Sequence, residues 1–369
     1  MVNPSWRKLH PEFKLNGKSY QWEELPEVGY SLVKEGEPYE RAIGDFLVDW
    51  TMDNPTVLVQ TSGSTGKPKV ILLQKEHMVN SAKSTGSHFG LQAGDSALLC
   101  LPCAGIAGKM MLVRAMVLGL ELDYVQPTST PLDSLNGNYD FCAMVPLQVD
   151  HSLHHLERIK TLIIGGASVS HRLRERLMSL PTQVFETYGM TETITHVAVK
   201  QLNASLDGRP EQSEGPVDNA FTILPGTTIS QDDRGCLVIE APKISDATVV
   251  TNDMVELISE TEFQWLGRYD SIINSGGVKL IPEQIEQKLA PLISSRFFVA
   301  GIPDDALGEK LVLVLEAEER DSSGLLTQIK LLEGLGKYEV PKELRFVPTF
   351  EMTTTEKVNR KVILRNLLG

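Results

Sequence analysis

Thr61-Ser62-Gly63-Ser64-Thr65-Gly66-Lys67-Pro68-Lys69 concentrates the residue types that grip phosphate. Gly63 and Gly66 permit backbone geometries that expose consecutive N–H groups, hydroxyls lie among them, and Lys67 and Lys69 add positive charge, a cradle suited to a polyphosphate. The spacing is not that of a Walker loop, which needs four residues between its glycines and a Ser or Thr after the lysine; here Pro68 follows Lys67. Apolar runs at 57–59 and 70–73 flank the segment, so it reads as a Gly-rich turn between two strands and not as a flexible linker.

Two other groups carry chemistry-bearing side chains. Cys100 and Cys103 form a C-x-x-C pair, the pattern of a redox centre or of half a zinc site. Cys142 and Cys236 supply no second close pair, so small buried or half-buried side chains are the expected reading. His151, His154 and His155 share one face of an expected helix, but no carboxylate or cysteine cluster joins them, and a solvated face is expected.

The elements that must position these residues follow from periodicity. Residues 1–50 are weakly patterned, with Trp6, Trp22 and Trp50 and a helix expected over 40–50. From Pro55 the chain alternates. Strands are expected at 57–60, 70–73, 97–101, 122–125, 141–145, 161–164 and 183–186, with helices over 75–89, 108–119, 147–159 and 171–180. Strands separated by such helices imply an α/β fold with a mostly parallel sheet covered on both faces. After Gly189 short strands and turns dominate, giving a β-rich subdomain over about 196–266. The texture shifts again at Gly267-Arg268-Tyr269-Asp270, beyond which 282–289, 297–300, 310–316, 325–335 and 343–347 form a small α+β unit. The expected division is therefore a large domain over 1–269 and a small mobile one over 270–369.

Bulk properties set limits. A chain of 369 residues is long for one core and suggests two domains, while 41% hydrophobic and 22% charged residues are ordinary for a globular protein. A formal charge of -13 argues against nucleic acid or an anionic membrane as a general partner, though not against a nucleotide in a locally basic cleft. Residues 1–14 have no apolar core for a signal peptide, and the most hydrophobic stretch, 110–125, is interrupted by Arg114, Glu121 and Asp123. A cytoplasmic protein is expected; its oligomeric state is left open, a homo-oligomer included.

A second informative stretch, Thr187-Tyr188-Gly189-Met190-Thr191-Glu192-Thr193, follows the strand at 183–186. With the opening loop, with Gly267-Arg268-Tyr269-Asp270 and Ser275-Gly276-Gly277, and with Lys357 in Glu356-Lys357-Val358-Asn359-Arg360, it resembles the adenylate-forming superfamily of acyl-CoA ligases, luciferases and adenylation domains. The resemblance covers the chain from about Val57 onward. It implies ATP, Mg2+ and coenzyme A as cofactors and a small carboxylic acid as substrate. It also implies two half-reactions, formation of an acyl-adenylate and then displacement of AMP by a thiol.

By the same resemblance Thr61 to Lys69 clamp the outer phosphates, Tyr188 and Gly189 meet the adenine, and Gly166 and Ala167 line the nucleotide site. Asp253 and Arg268 meet the ribose, Thr191 donates to the α-phosphate, and Glu192 holds Mg2+. Lys357 bridges the attacking carboxylate and the α-phosphate; Asp270 is the hinge; Gly276 and Gly277 line the thiol's tunnel, with Lys279 a contact for coenzyme A phosphate. The usual glycine before the lysine is replaced by Glu356.

Amino-acid-activating members carry an aspartate in the segment equivalent to 101–108, which here holds no acidic residue, so amino acids are disfavoured. The aromatic and histidine that many acyl-CoA ligases place at Ala104 and Gly105 are absent as well. The pattern Pro102…Ile106-Ala107-Gly108-Lys109, with Val145-Pro146-Leu147-Gln148 and Gly165-Gly166-Ala167-Ser168, looks most like o-succinylbenzoate–CoA ligases of menaquinone biosynthesis. A second carboxylate on that acid needs a donor if buried, and Lys109 and His196 are the expected candidates. Another aryl- or acyl-CoA ligase and a non-catalytic nucleotide-binding homologue remain the competing readings.

Overall fold

The computed structural model describes residues 4–60, 70–203, 219–318, 323–353 and 358–368. By backbone proximity the chain divides into two compact units, one of residues 1–229, 239–249 and 259–262, the other of 230–238, 250–258 and 263–369.

The first unit is built on parallel strands. Ile159–Ile164 pairs in parallel with Tyr139–Met144 on one side and Gln183–Gly189 on the other, and Ser96–Leu99 lies between Tyr139–Met144 and Glu121–Tyr124, parallel to both. Consecutive residues within these strands are buried, as in strands covered on both faces; Leu98, Phe141, Cys142, Leu162, Ile164 and Val184 are fully buried. His196–Gln201 and Phe221–Ile223 then continue antiparallel. The helices Lys75–Phe89 and Ile106–Leu118 fall where the sequence periodicity places them. Thr56–Gln60 and Val70–Gln74 form a separate two-stranded antiparallel sheet whose register closes with Gln60 opposite Val70. Its alternation is strict, Val57 and Val59 inward, Leu58, Val70 and Leu72 outward.

Two expectations are corrected. The helix expected over 147–159 is Pro146–His151 followed by the 3-10 segment Leu153–Arg158, because Ile159 already pairs with Tyr139 and the helical path must end before it. His151, His154 and His155 therefore do not share one regular helix. The strand expected to stop at 186 runs on to Gly189.

In the second unit, Phe297–Asp304 pairs antiparallel with Gly308–Glu316, which also pairs in parallel with Glu343–Val347. Ile285, Leu289, Val299, Leu311, Leu313 and Ile329 form a core on one face, and Phe298, Val312, Val314, Phe350 and Ile363 a core on the other.

Candidate active site

Strand Gln183–Gly189 presents Tyr188 and Gly189 at its carboxyl end, the end of an open parallel sheet at which ligands bind. The chain then makes a 3-10 turn, Thr191–Thr193, held by Thr193 Oγ1, which accepts from Met190 N at 3.1 Å. At Ile194 the backbone takes φ 64 and ψ -65, and Thr195 N donates to Thr193 O at 2.7 Å. That i to i+2 bond with a positive central φ is the rare, strained form of γ-turn, here centred on a β-branched residue at a cost of about 1–3 kcal/mol. The reversal brings His196 opposite Gly189, with a register shift before Ala198. A Cβ on Gly189 would lie 2.0 Å from Thr195 O, so this glycine is required by the protein's own returning backbone. The outcome is a fixed turn with Thr193 buried, Thr191 half-buried and the Glu192 carboxylate exposed.

Beneath the turn is a buried polar cluster. Thr85 Oγ1 lies 3.3 Å from His196 Nε2, and Ser81 Oγ lies 3.4 Å from Thr195 Oγ1. Arg114, from the helix Ile106–Leu118, donates through Nη2 to Thr195 Oγ1 at 3.2 Å and through Nε to Thr85 Oγ1 at 3.4 Å; it is 2% exposed. Burial pushes its pKa down to about 10, which leaves it charged at neutral pH. Burial, then the charge of Arg114 and the neighbouring His88, hold His196 well below the ordinary histidine value, so His196 is neutral.

Behind Tyr188, Glu186 receives Lys200 Nζ at 2.9 Å and Arg174 Nη2 at 3.4 Å, while its Oε1 accepts from Val169 N at 3.1 Å. That last bond ties the exposed turn of Gly166, Ala167 and Ser168 to the strand carrying Tyr188. Thr187 Oγ1 adds a bond to Ile164 O at 2.9 Å, just before Gly165. Lys200 Nζ sits 4.5 Å above the ring of Phe221, whose centroid is 5.8 Å from that of Tyr188. Burial lowers the pKa of Lys200 while Glu186 raises it.

The expected acid-pocket residues Ile106, Gly108 and Lys109 form the first turn of the helix Ile106–Leu118. A Cβ on Gly108 would lie 2.5 Å from Pro102 O, so the glycine seats this turn on the preceding backbone. Lys109 is buried with Nζ 4.9 Å from the centroid of Phe46, in the helix Pro38–Thr51; burial lowers its pKa against Cys103, Asp49 and Asp45. Lys109 and His196 thus have different neighbours, Phe46 for one and Thr85 for the other. All four cysteines are buried and free; Cys100 Sγ lies 3.8 Å from Cys142 Sγ, and burial pushes the Cys103 thiol up to about 12, so C-x-x-C is packing here.

In the second unit Asp253 and Arg268 are cross-strand partners. Trp265 Nε1 donates to Asp253 Oδ1 at 3.2 Å, and Arg268 Nη1 lies 3.6 Å from the same oxygen. Arg268 also forks onto Asp270, Nε to Oδ1 at 3.0 Å and Nη2 to Oδ2 at 3.2 Å, which holds the Asp270 carboxyl below the usual carboxylate range. Gly276 and Gly277, φ 59 and 82, make the two-residue turn of a hairpin in which Asn274 pairs with Lys279; Lys279 is exposed.

Thr61, Ser62, Gly63, Ser64, Thr65, Gly66, Lys67 and Lys69, and also Lys357, lie outside the described residues. The flanks of Lys357 are fixed within the second unit: Met352 bridges Val358, Asn359 N donates to Glu351 O at 2.8 Å, and Arg360 forks onto Glu286 with both contacts at 2.8 Å.

Arg114 and Thr195 are the site residues that sequence reasoning passed over. The signal was present: between 106 and 118 only Lys109 and Arg114 are charged, so this helix has no polar face and a charged residue on it is carried inside.

Residues 12–237 match the model of the AMP-binding enzyme family, and the chain belongs to that family, the adenylate-forming superfamily. A solved structure of an acyl-CoA synthetase (AMP-forming)/AMP-acid ligase II-like protein from Dyadobacter fermentans DSM 18053 is 37% identical, covers 93% of this chain and 98% of its own, and superposes with a TM-score of 0.60. A 2-succinylbenzoate–CoA ligase of Bacillus cereus (strain Q1) is 23% identical over 93% of this chain and 76% of its own length. The o-succinylbenzoate coenzyme A synthetase of Bacillus subtilis, solved with ATP and magnesium ion, shares the fold with a TM-score of 0.69 at 22% identity, over 82% of this chain and 68% of its own. Among the described residues no helix is long and apolar enough to cross a membrane.

Proposed function

We propose that this protein uses ATP to activate a carboxylic acid as its acyl-adenylate and passes the acyl group to coenzyme A, with o-succinylbenzoate as the acid and o-succinylbenzoyl-CoA, a menaquinone precursor, as the product. The observation that carries this reading is the strained turn that fixes Thr191 and Glu192 at the carboxyl end of strand Gln183–Gly189, beside Tyr188. Tyr188 offers a ring for adenine, worth about 1–3 kcal/mol by analogy with base stacking. Asp253, oriented by Trp265 and Arg268, accepts from ribose hydroxyls. Thr191 donates to the α-phosphate, and the loop from Thr61 to Lys69 grips the outer phosphates.

No group of three or more His, Cys, Asp or Glu among the described residues could cage a metal, whereas a single exposed carboxylate suits Mg2+, which completes its shell with phosphate and water. Glu192 would hold the ion, which would supply charge neutralisation on the phosphates. Lys357 bridges the two negative groups that attack brings together. The domain over 270–369 then turns about Asp270, bringing Gly276, Gly277 and Lys279 to the thiol, with the Arg268 fork as the contact that must open. Ile106, Gly108 and Gly165 line the acid side, and Gly166 and Ala167 the nucleotide side.

Release of AMP with o-succinylbenzoate and coenzyme A tests the reading. Turnover should be acid-dependent, and Glu192→Gln should lower it by about 10²–10³ while raising the Mg2+ requirement. Full activity of Glu192→Gln at low Mg2+ would remove Glu192 from its role. The small Ala104 and Gly105 favour a second reading, another aryl- or acyl-CoA ligase of the superfamily, which a panel of acids separates. A non-catalytic homologue would show no acid-dependent pyrophosphate exchange.

A further inference from the structure

Glu186 and Tyr188 alternate along strand Gln183–Gly189 and so share one face of the sheet, with Lys200 and Ala198 opposite them on His196–Gln201. Lys200 is buried, and its ammonium meets three groups: Glu186 Oε2 at 2.9 Å, Asn219 Oδ1 at 3.2 Å and the ring of Phe221, with Nζ 4.5 Å from the centroid. Through them one cation reaches two walls. On one side Glu186 passes the tie to the exposed turn Gly166-Ala167-Ser168, because its Oε1 accepts from Val169 N at 3.1 Å. On the other, Phe221 stands 5.8 Å from Tyr188, centroid to centroid; the rings meet across strand His196–Gln201, where Ala198, opposite Tyr188, is too small to keep them apart. A buried ion pair costs desolvation, and apolar side chains of the same volume would pack as well or better. What the pair adds is direction, since a carboxylate held by Lys200 and bonded to Val169 N fixes the turn against the strand.

We propose that Lys200 is a positioning residue that sets the gap between the Tyr188 ring and the turn Gly166-Ala167-Ser168, so that the base of the nucleotide stacks in it. This rests on the reading that Tyr188, Gly166 and Ala167 meet the adenine. Lys200 acts through Glu186 and Phe221 and not by touching the nucleotide. Without its charge Phe221 loses the cation over its ring, and Glu186 keeps only the half-buried Arg174, whose Nη2 is at the longer distance of 3.4 Å. Both walls of the gap then loosen together. Asn219 Oδ1 accepts from Arg174 Nη1 at 3.3 Å as well as from Lys200, so the two cations are held in register with each other.

The experiment measures, by calorimetry with Mg2+ and without acid or thiol, the Kd of ATP and of ribose triphosphate, which lacks the base. The proteins are the wild type, Lys200→Met and the double variant Glu186→Gln/Lys200→Met, which leaves no unpaired carboxylate and keeps an acceptor for Val169 N. The wild type should bind ATP about tenfold or more tighter than ribose triphosphate. Lys200→Met should shrink that ratio by about threefold to tenfold through weaker ATP, with ribose triphosphate unchanged, and should raise the KM for ATP in turnover without moving the KM for the acid. The double variant should recover the Tm that Lys200→Met loses and still show the small ratio, which separates positioning from stability. Equal weakening of both ligands, with the ratio as in the wild type, is the mark of packing alone and overturns the inference, as does recovery of the ratio in the double variant. If Lys200→Met does not fold, the double variant decides. A wild type that binds both ligands equally removes the base from Tyr188 and takes the reading and the inference together, whereas a wild-type preference that Lys200→Met leaves intact keeps the reading and sinks the inference alone.

Discussion

Two hairpin turns, one in each unit, use glycine in opposite ways. At the turn between Gln183–Gly189 and His196–Gln201, Gly189 is needed because there is no room: a Cβ would meet the carbonyl of Thr195 at 2.0 Å, and the positive φ falls on Ile194 instead. In the turn Ser275-Gly276-Gly277-Val278 the second glycine has room to spare, since a Cβ on Gly277 would meet nothing within 4 Å, and Gly277 is needed for conformation alone. The first turn is crowded, strained and backed by buried polar groups; the second is exposed and relaxed. A turn proposed to hold Thr191 and Glu192 against a developing charge gains from being over-determined, because preorganised groups need no rearrangement as the charge forms. A turn proposed to meet a mobile thiol arm needs no such support.

The contrast can be broken or sharpened by experiment. Gly189→Ala should have the largest effect, a loss of stability of about 3 kcal/mol with loss of all turnover, read as a fall in Tm and in AMP release, because backbone has to move to admit the methyl group. An unchanged Tm would mean the crowding is easily relieved. Next is pH. His196 titrates below its unfolded value in the folded protein, so between the two values the unfolded chain binds more protons and stability falls as pH drops below about 6.5. His88, also lowered by burial, contributes in the same direction, so His196→Gln should flatten the fall in Tm between pH 7 and 5 without abolishing it. Gly277→Ala should have the smallest effect, about 1 kcal/mol from the left-handed backbone, with adenylate formation intact and only the thiol step slowed. Equal slowing of both half-reactions would show that the second hairpin is as tightly bound to the chemistry as the first.

Much of this was legible without a structure, and for definable reasons. Helix Lys75–Phe89 has the extent that the sequence implies, because local periodicity and turn residues agree with the tertiary arrangement there. The family was legible from its motifs, whose order survives along the chain. Failures came where a distant partner decides. The helix expected over 147–159 is cut short because Ile159 must pair with Tyr139, and the strand expected to stop at 186 continues because His196 to Gln201 pair beside it.

The amino-acid sequence alone determined the family, since its Gly-rich and Thr-Glu motifs keep their residue types and order along the chain. Only the tertiary structure decided what surrounds them. In the chain Arg114 interrupts an apolar run, and Gly189 is a permissive residue before a motif. In the fold Arg114 is a buried charge beneath the turn, and Gly189 is the one residue small enough for the backbone that folds back across it. Burial and close approach belong to pairs of segments far apart in sequence, and no local pattern of residue types contains them.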